Sequence, residues 1–298
     1  MELTNIEIRA LSELDELAQV EAIQQVVWPD PTATVYRNFL LNMVRNGALV
    51  LGALEDKKII GFLLSYLGIE SPGAQRPAMA NLKLVSQRMA ILPAYRDRGI
   101  GYELKLAQRR FAIEQGIRLI TWTYDPLLAR NAHLNIRKLG GIVHDYWRDF
   151  YGTAPSAHVT LGSSDRLLVE WWVTGNRVEQ RMTGKRGGLV LEQYTSANAT
   201  VLNPTTIGAL DLPRPAERIV RPQGMVALVE IPEDFHAIIA ADQGLARAWR
   251  GHSRGIIEQT LASGYTITDF VRGSFEGRSR AFYALSMADA PSSGFSPN

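Results

Sequence analysis

A chain of 298 residues is about two domains long, and 46% hydrophobic with 21% charged residues is the composition of an ordinary globular protein. Its 32 basic and 30 acidic residues leave a net charge of +2 with no Lys/Arg block, so nothing argues for nucleic acid or a membrane surface as partner. The lack of cysteine excludes disulfides, thiolate metal sites and a cysteine nucleophile, and no spacing of His, Asp or Glu suggests a metal. The first thirty residues are acidic and amphipathic, unlike a signal peptide, and no run approaches the roughly 20 apolar residues of a membrane span. The expected location is cytoplasmic.

Residues 6–10 alternate as a short strand does. Ser12, with Asp15 three residues on, reads as the cap of a helix carrying Leu14, Leu17, Val20, Ile23 and Val27, stopped by Trp28-Pro29-Asp30-Pro31. Residues 35–45 read as a second helix. Two apolar runs, 48–54 and 59–67, flank the polar turn Glu55-Asp56-Lys57-Lys58 and predict a hairpin. Residues 71–80 are a loop, and 84–92 a strand ending at Pro93. The spacing of Leu104, Ala107, Phe111 and Ala112 predicts a helix over 99–115. A strand at 119–124, a helix at 127–139 closed by Gly140-Gly141, and strands at 142–151 and 166–173 complete a mixed α/β domain near residue 175.

From 175 to 224 the chain is rich in glycine, proline and polar residues, with strand-like islands at 189–193 and 200–202; irregular structure packed on something is expected. A strand at 225–231, a helix at 245–262 and strands at 265–271 and 280–285 follow. This order echoes residues 89–123: A-L-V-E-I-P ending at Pro232 parallels M-A-I-L-P ending at Pro93. It reads as a weak internal duplication.

The informative segment runs Ile91-Leu92-Pro93-Ala94-Tyr95-Arg96-Asp97-Arg98-Gly99-Ile100-Gly101-Tyr102, a strand entering a loop R-x-x-G-x-G that opens into a helix. Glycine permits positive φ and close approach of a ligand to the backbone. The first N–H groups of the helix lack internal partners and, with the positive helix end, suit a pyrophosphate; Arg96 and Arg98 add charge.

With this loop, and with Arg137-Lys138-Leu139-Gly140 in support, residues 1–175 resemble the GNAT superfamily of acyl-CoA-dependent N-acyltransferases, in a branch with an appended C-terminal region. The resemblance implies an α/β fold of α+β type. Its mixed central sheet would carry flanking helices, with acetyl-CoA or another acyl-CoA wedged between the strands ending near Leu92 and Tyr124. A smaller α/β domain, residues 176–298, would be a degenerate half-repeat of unclear role. Met89, Ala90 and Ile91 would face the pantetheine arm, the backbone of Arg96, Arg98, Gly99, Ile100, Gly101 and Tyr102 the pyrophosphate, and Asn131 the rest of the cofactor.

Two family features are missing. Many members carry a tyrosine three residues before the Leu-Gly pair, as proton donor to the thiolate; here that position is Ile136. Members often carry a glutamate on the strand before the loop; residues 84–92 hold no carboxylate. Asp125, ending the next strand, is then the first choice as base, although Asp-Pro is equally a helix cap. Tyr124 and Tyr146 are the candidate proton donors. Arg88, mid-strand, would bind a carboxylate of acceptor or acyl group, or face solvent on the far side. Trp171-Trp172 reads as core.

The reading is an N-acyltransferase acting on a primary amine of a small molecule such as an amino acid. Its alternatives are a succinyl-CoA-type transferase and a CoA-binding or sensing protein with reduced catalysis. No nucleic acid or membrane partner is expected, and a homodimer contact is one role open to the C-terminal region.

Overall fold

The computed structural model describes residues 6–70, 77, 81–184, 188–208 and 211–287. Two units form. One comprises Met1–Trp122, Pro155–His158 and Trp172–Gly175, the other Thr123–Ala154, Val159–Trp171 and Asn176–Asn298. The units do not part at residue 175, the division expected from composition, because residues 123–154 pack with the later chain.

In the first unit β1 (Ile6–Ala10), β2 (Leu49–Glu55), β3 (Lys58–Ile69) and β4 (Leu82–Ile91) form an antiparallel ladder in that order. β5 (Leu119–Tyr124) joins β4 in parallel. The β2–β3 hairpin closes as its sequence predicts, with Glu55 opposite Lys58 and both Asp56 (φ 48°) and Lys57 (φ 67°) left-handed, as a twist-matched two-residue turn requires. Period-two alternation serves two layers. Val50, Phe62, Leu64 and Ala90 pack with Leu17, Val20 and Ile23 of α1 (Leu14–Val27) and Leu40 of α2 (Arg37–Arg45). Leu49, Leu51, Ala53 and Leu63 pack instead with Ile100, Leu104 and Ala107 of α3 (Ile100–Glu114). Each such buried side chain contributes about 1.5–3 kcal/mol.

Two helix starts differ from the expectation. In α1 the Glu16 carboxylate, not Ser12 with Asp15, accepts the N–H groups of Ser12 and Glu13, at 3.2 and 3.3 Å. α2 starts at Arg37 because the Gln24 amide pairs with both backbone groups of Val35, at 3.0 Å each, and holds that residue outside the helix. The expected loop at 71–80 lies outside the described residues except for Pro77.

In the second unit α4 (Ala129–Ala132) runs into a π-helical turn, His133–Lys138, where the sequence predicts one regular helix; Gly140 (φ 75°) ends it. Then come β6 (Ile142–Trp147), β7 (Arg166–Trp172), α5 (Asn176–Met182), α6 (Leu191–Ser196) and β8 (Thr200–Val201). β9 (Thr206–Ile207) and β10 (Pro213–Arg214) pair apart from the main sheet. β11 (Val226–Ile231), α7 (Phe235–Ala241), α8 (Gln243–Ala262), β12 (Thr266–Phe275) and β13 (Arg278–Ser286) close the chain. The expected strand at 189–193 is the helix α6: Leu191 and Tyr194, one turn apart, bury against Leu228, Val271 and Phe282. The strand expected at 142–151 stops at Trp147, and Asp149 turns with φ 44°.

Strand order in this unit is β7-β6-β12-β13-β11-β8, antiparallel except for β11 with β8. The echo of the first half is therefore incomplete. β4 and β5 are adjacent and parallel, whereas β13 lies between β11 and β12.

Candidate active site

The phosphate loop has the geometry its glycines predict. A 3₁₀ turn, Pro93–Tyr95, follows β4; Asp97 takes φ 63° and Gly99, the residue capping α3, φ 82°. The first helical bonds run from Tyr102 and Glu103 N–H to Gly99 O, at 3.0 and 3.2 Å. The amides of Gly99, Ile100 and Gly101 therefore precede the first helical bond and face the positive end of a 15-residue helix. A Cβ built on Gly99 meets no heavy atom within 4 Å beyond its chain neighbours, so that side of the loop is open. On Gly101 it meets the Met89 Cε at 3.3 Å, which puts the strand residue directly behind the loop.

Two residues of the loop depart from the expectation. The Tyr102 amide is used inside the helix, leaving its half-buried ring, whose hydroxyl pKa burial raises. Arg98 is tied to Glu55 at 3.2 Å and lies over the Tyr95 ring, so part of its charge is neutralised locally. Arg96 is exposed and donates from Nε to Ile91 O at 3.3 Å.

β4 carries the rest of the first-unit candidates. Its parallel ladder with β5 joins Leu84 to Ile120 and Val85 to Thr121, beyond which β4 runs on to Ile91 paired with β3. A bulge at Gln87 switches the side-chain register, since Leu64 pairs with Arg88 but Ser65 with Ser86. Past the bulge Ala90 packs on the α1 layer, and Met89 and Ile91 on the α3 layer. Arg88 is half-buried and engaged on the α1 side. Its Nη1 donates to Gln24 Oε1 at 2.9 Å and to Ala33 O, and its guanidinium covers the Trp28 ring.

The loop, the helix it opens and the bulged strand behind it agree with what comparison finds: residues 11–140 match the acetyltransferase (GNAT) family model. The chain carries a GNAT domain. Similar solved structures include the ribosomal-protein-S18-alanine N-acetyltransferase from Escherichia coli, 15% identical, covering 57% of this chain and 95% of that one with a TM-score of 0.45. Another is NAA60 of Arabidopsis thaliana in complex with a bisubstrate analogue, 16% identical, covering 56% and 98% with a TM-score of 0.47. A third is an aminoglycoside acetyltransferase from an uncultured soil metagenomic sample, 21% identical over 42% of this chain and 80% of that one, TM-score 0.36. At these identities and scores they fix nothing about the acceptor. No curated protein matches the chain by sequence.

The remaining candidates around the GNAT domain lie in the second unit, each already engaged. Asp125, expected as base or cap, accepts from both Nη atoms of Arg250 at 2.7 Å, and its Oδ1 also takes the Leu127 N–H at 2.9 Å. Tyr124 is buried and donates to the Tyr283 hydroxyl at 3.2 Å, which donates to Pro126 O at 2.7 Å. Burial holds the Tyr124 hydroxyl well above its ordinary pKa. Tyr146 donates to Asp165 at 2.6 Å; burial first, then that carboxylate, raises it further. Arg254 forks onto the same Asp165 at 2.6 and 2.8 Å.

Ile136, at the family's tyrosine position, is fully buried, and Trp171 is core, donating to Leu139 O. Asn131 is half-buried on α4. Arg250, on α8 and not a sequence candidate, is 6% exposed. The available signal was spacing: Arg250, Arg254 and Glu258 fall four apart on one helix face. Among the described residues no acidic or imidazole cluster could hold a metal, and no helix is long and apolar enough to cross a membrane.

Proposed function

We propose that the protein transfers an acyl group, acetyl or another short one, from acyl-CoA to the primary amine of a small molecule such as an amino acid. The observation that carries this is the loop at Gly99, a left-handed residue capping a long helix whose first amides precede the first helical bond, on a side where a Gly99 Cβ meets nothing. In this reading the amides of Arg98, Gly99, Ile100 and Gly101 hold the pyrophosphate, Arg96 adds charge, and Met89, Ala90 and Ile91 line the pantetheine arm. The amine nitrogen attacks the thioester carbon, the C–N bond forms, the C–S bond breaks, and the proton lost by nitrogen reaches the thiolate through solvent. Asp125, Tyr124 and Tyr146, the candidates of the second unit, are held by Arg250, Tyr283 and Asp165, so solvent rather than any of them is given the proton in this reading. Arg88, held by Gln24 and Trp28, is the group to meet a carboxylate on acceptor or acyl chain.

Incubating the protein with acetyl-CoA and a panel of amino acids and other primary amines, with free thiol as readout, tests the proposal. Amine-dependent thiol release is expected. Binding of acetyl-CoA without release for any amine would favour the sensing role, and release only with succinyl-CoA the alternative donor.

The C-terminal region is not a second cofactor site in this reading. Where the loop glycines would follow β11 stand Glu233 and Asp234, and the Asp234 carboxylate caps α7 by accepting the Ala237 N–H at 3.0 Å. Two carboxylates oppose a pyrophosphate, and β13 fills the place between β11 and β12 where a cofactor would enter. Titration calorimetry is expected to saturate at one CoA per chain; two equivalent sites would overturn the assignment.

A further inference from the structure

Seven charged side chains are buried among the described residues: Lys105, Asp125, Asp165, Glu230, Arg250, Asp269 and Arg280. Six have an ionic partner: Asp125 with Arg250, Asp165 with Arg254, Glu230 with Arg280, and Asp269 with Arg137 and Arg181. Lys105 does not. Its Nζ donates to Ser86 Oγ at 2.8 Å and Gln108 Oε1 at 3.1 Å and lies 3.5 Å from the centre of the Trp122 ring. Gln108 donates onward to Ser65 Oγ at 3.0 Å. Every group in this network is uncharged.

An ammonium taken out of water without a counter-charge is costly, and a buried lysine escapes that cost by losing its proton. Burial accordingly lowers the Lys105 pKa well below the ordinary lysine value, with no opposing charge. The shift favours the neutral amine, the form that attacks thioesters.

Its position matters as much as its state. Lys105 lies on α3, the helix that the phosphate loop opens. Ser86 and Trp122 directly follow the last parallel pair of β4 and β5, Val85 with Thr121, so the amine sits where the two strands part. From Ser86 to Leu92, where the loop begins, six residues of strand span about 20 Å at roughly 3.3 Å each. A pantetheine arm running from the loop down the opening between β4 and β5 would bring its thioester toward that fork.

We propose that Lys105 is a self-acylation site: in the absence of an acceptor, its Nζ takes the acyl group from the bound acyl-CoA. The inference rests on the acyl-CoA reading above. The Nζ–C bond forms, the thioester C–S bond breaks, and the proton released from nitrogen passes to the CoA thiolate, so no further reactant is needed. The product is a neutral amide in the fork, which removes the amine's lone pair and adds bulk where the cofactor's reactive end lies, a modification that would limit further turnover.

The test needs no acceptor. Wild-type protein is incubated with acetyl-CoA at pH 7, 8 and 9, and acetylation is followed site by site by peptide mass spectrometry, while calorimetry confirms binding. Lys57, Lys58 and Lys138, exposed on the same chain, serve as internal controls. The expected result is acetylation of Lys105 at least tenfold faster than at these controls at pH 7. Its rate should rise less steeply from pH 7 to 9 than that of the exposed lysines, because burial lowers its pKa, whereas the exposed lysines should accelerate about tenfold per pH unit below their pKa. Excess desulfo-CoA, which fills the site without a thioester, should suppress Lys105 alone. If acetyl-CoA binds and Lys105 stays unmodified, or reacts no faster than Lys57, Lys58 and Lys138, the inference is overturned and the acyl-CoA reading survives. If acetyl-CoA does not bind, both fall.

Discussion

Gly99→Val is expected to weaken CoA binding by at least about 100-fold in titration calorimetry, a loss of roughly 2.7 kcal/mol. Two effects combine at this one position. A φ of 82° suits glycine and penalises a β-branched residue, which would pull the loop away from the conformation that aims its amides outward. The added carbons would also project on the open side of Gly99, where a Cβ meets no atom beyond the chain neighbours within 4 Å and where the pyrophosphate is proposed to sit. That same emptiness predicts a modest cost to the ligand-free fold, about 1–3 kcal/mol from backbone strain alone. Gly99→Ala should fall between the two in affinity. A valine variant that binds CoA as tightly as wild type would remove the loop from the cofactor site. A variant that loses binding only because it has unfolded would be recognised by its melting curve.

The first half of the fold was legible because its signals are local. Alternation along 49–64 and the glycines from 99 to 101 each act within a few residues, and the hairpin and the loop form where they were expected. Shorter signals misled. Five residues at 189–193 cannot distinguish strand from helix by period, and the burial of Leu191 with Tyr194 decides for helix. The π-helical turn at His133–Lys138 leaves no mark in the periodicity at all.

At the candidate site the division is similar. The loop could be read, but the partners of its neighbours could not, because each ion pair joins residues more than a hundred positions apart or is set by tertiary packing. Arg250 reaches Asp125 across 125 residues, and nothing in either segment alone announces it. Lys105 was hidden differently. It lies with Gln108 and Ala112 on a face of α3 that is buried, next to the Leu104 stripe, so polar residues at helical spacing were the available sign.

Arg250→Met is expected to be the most destabilising single change in the second unit, costing about 3–5 kcal/mol. The arginine is 6% exposed and supplies both of its terminal nitrogens to Asp125, which is itself 9% exposed. Truncating the cation leaves a buried carboxylate with only the Leu127 N–H as a donor. Asp125→Asn alone should cost less. The amide keeps one oxygen, able to accept from both the Leu127 N–H and Arg250 Nη1, but its NH2 meets Arg250 Nη2 donor to donor and the guanidinium is under-compensated. The double variant Asp125→Asn with Arg250→Met should regain a large part of the loss, because neither buried charge remains and a neutral amide can still cap the turn. Urea unfolding of the four proteins measures this coupling directly. A coupling below about 1 kcal/mol would mean that the pair is not a structural one, which would reopen Asp125 as a proton acceptor. A large coupling, together with acyl-transfer activity in Asp125→Asn that falls only in step with its folded fraction, would assign the carboxylate to holding the turn between β5 and α4.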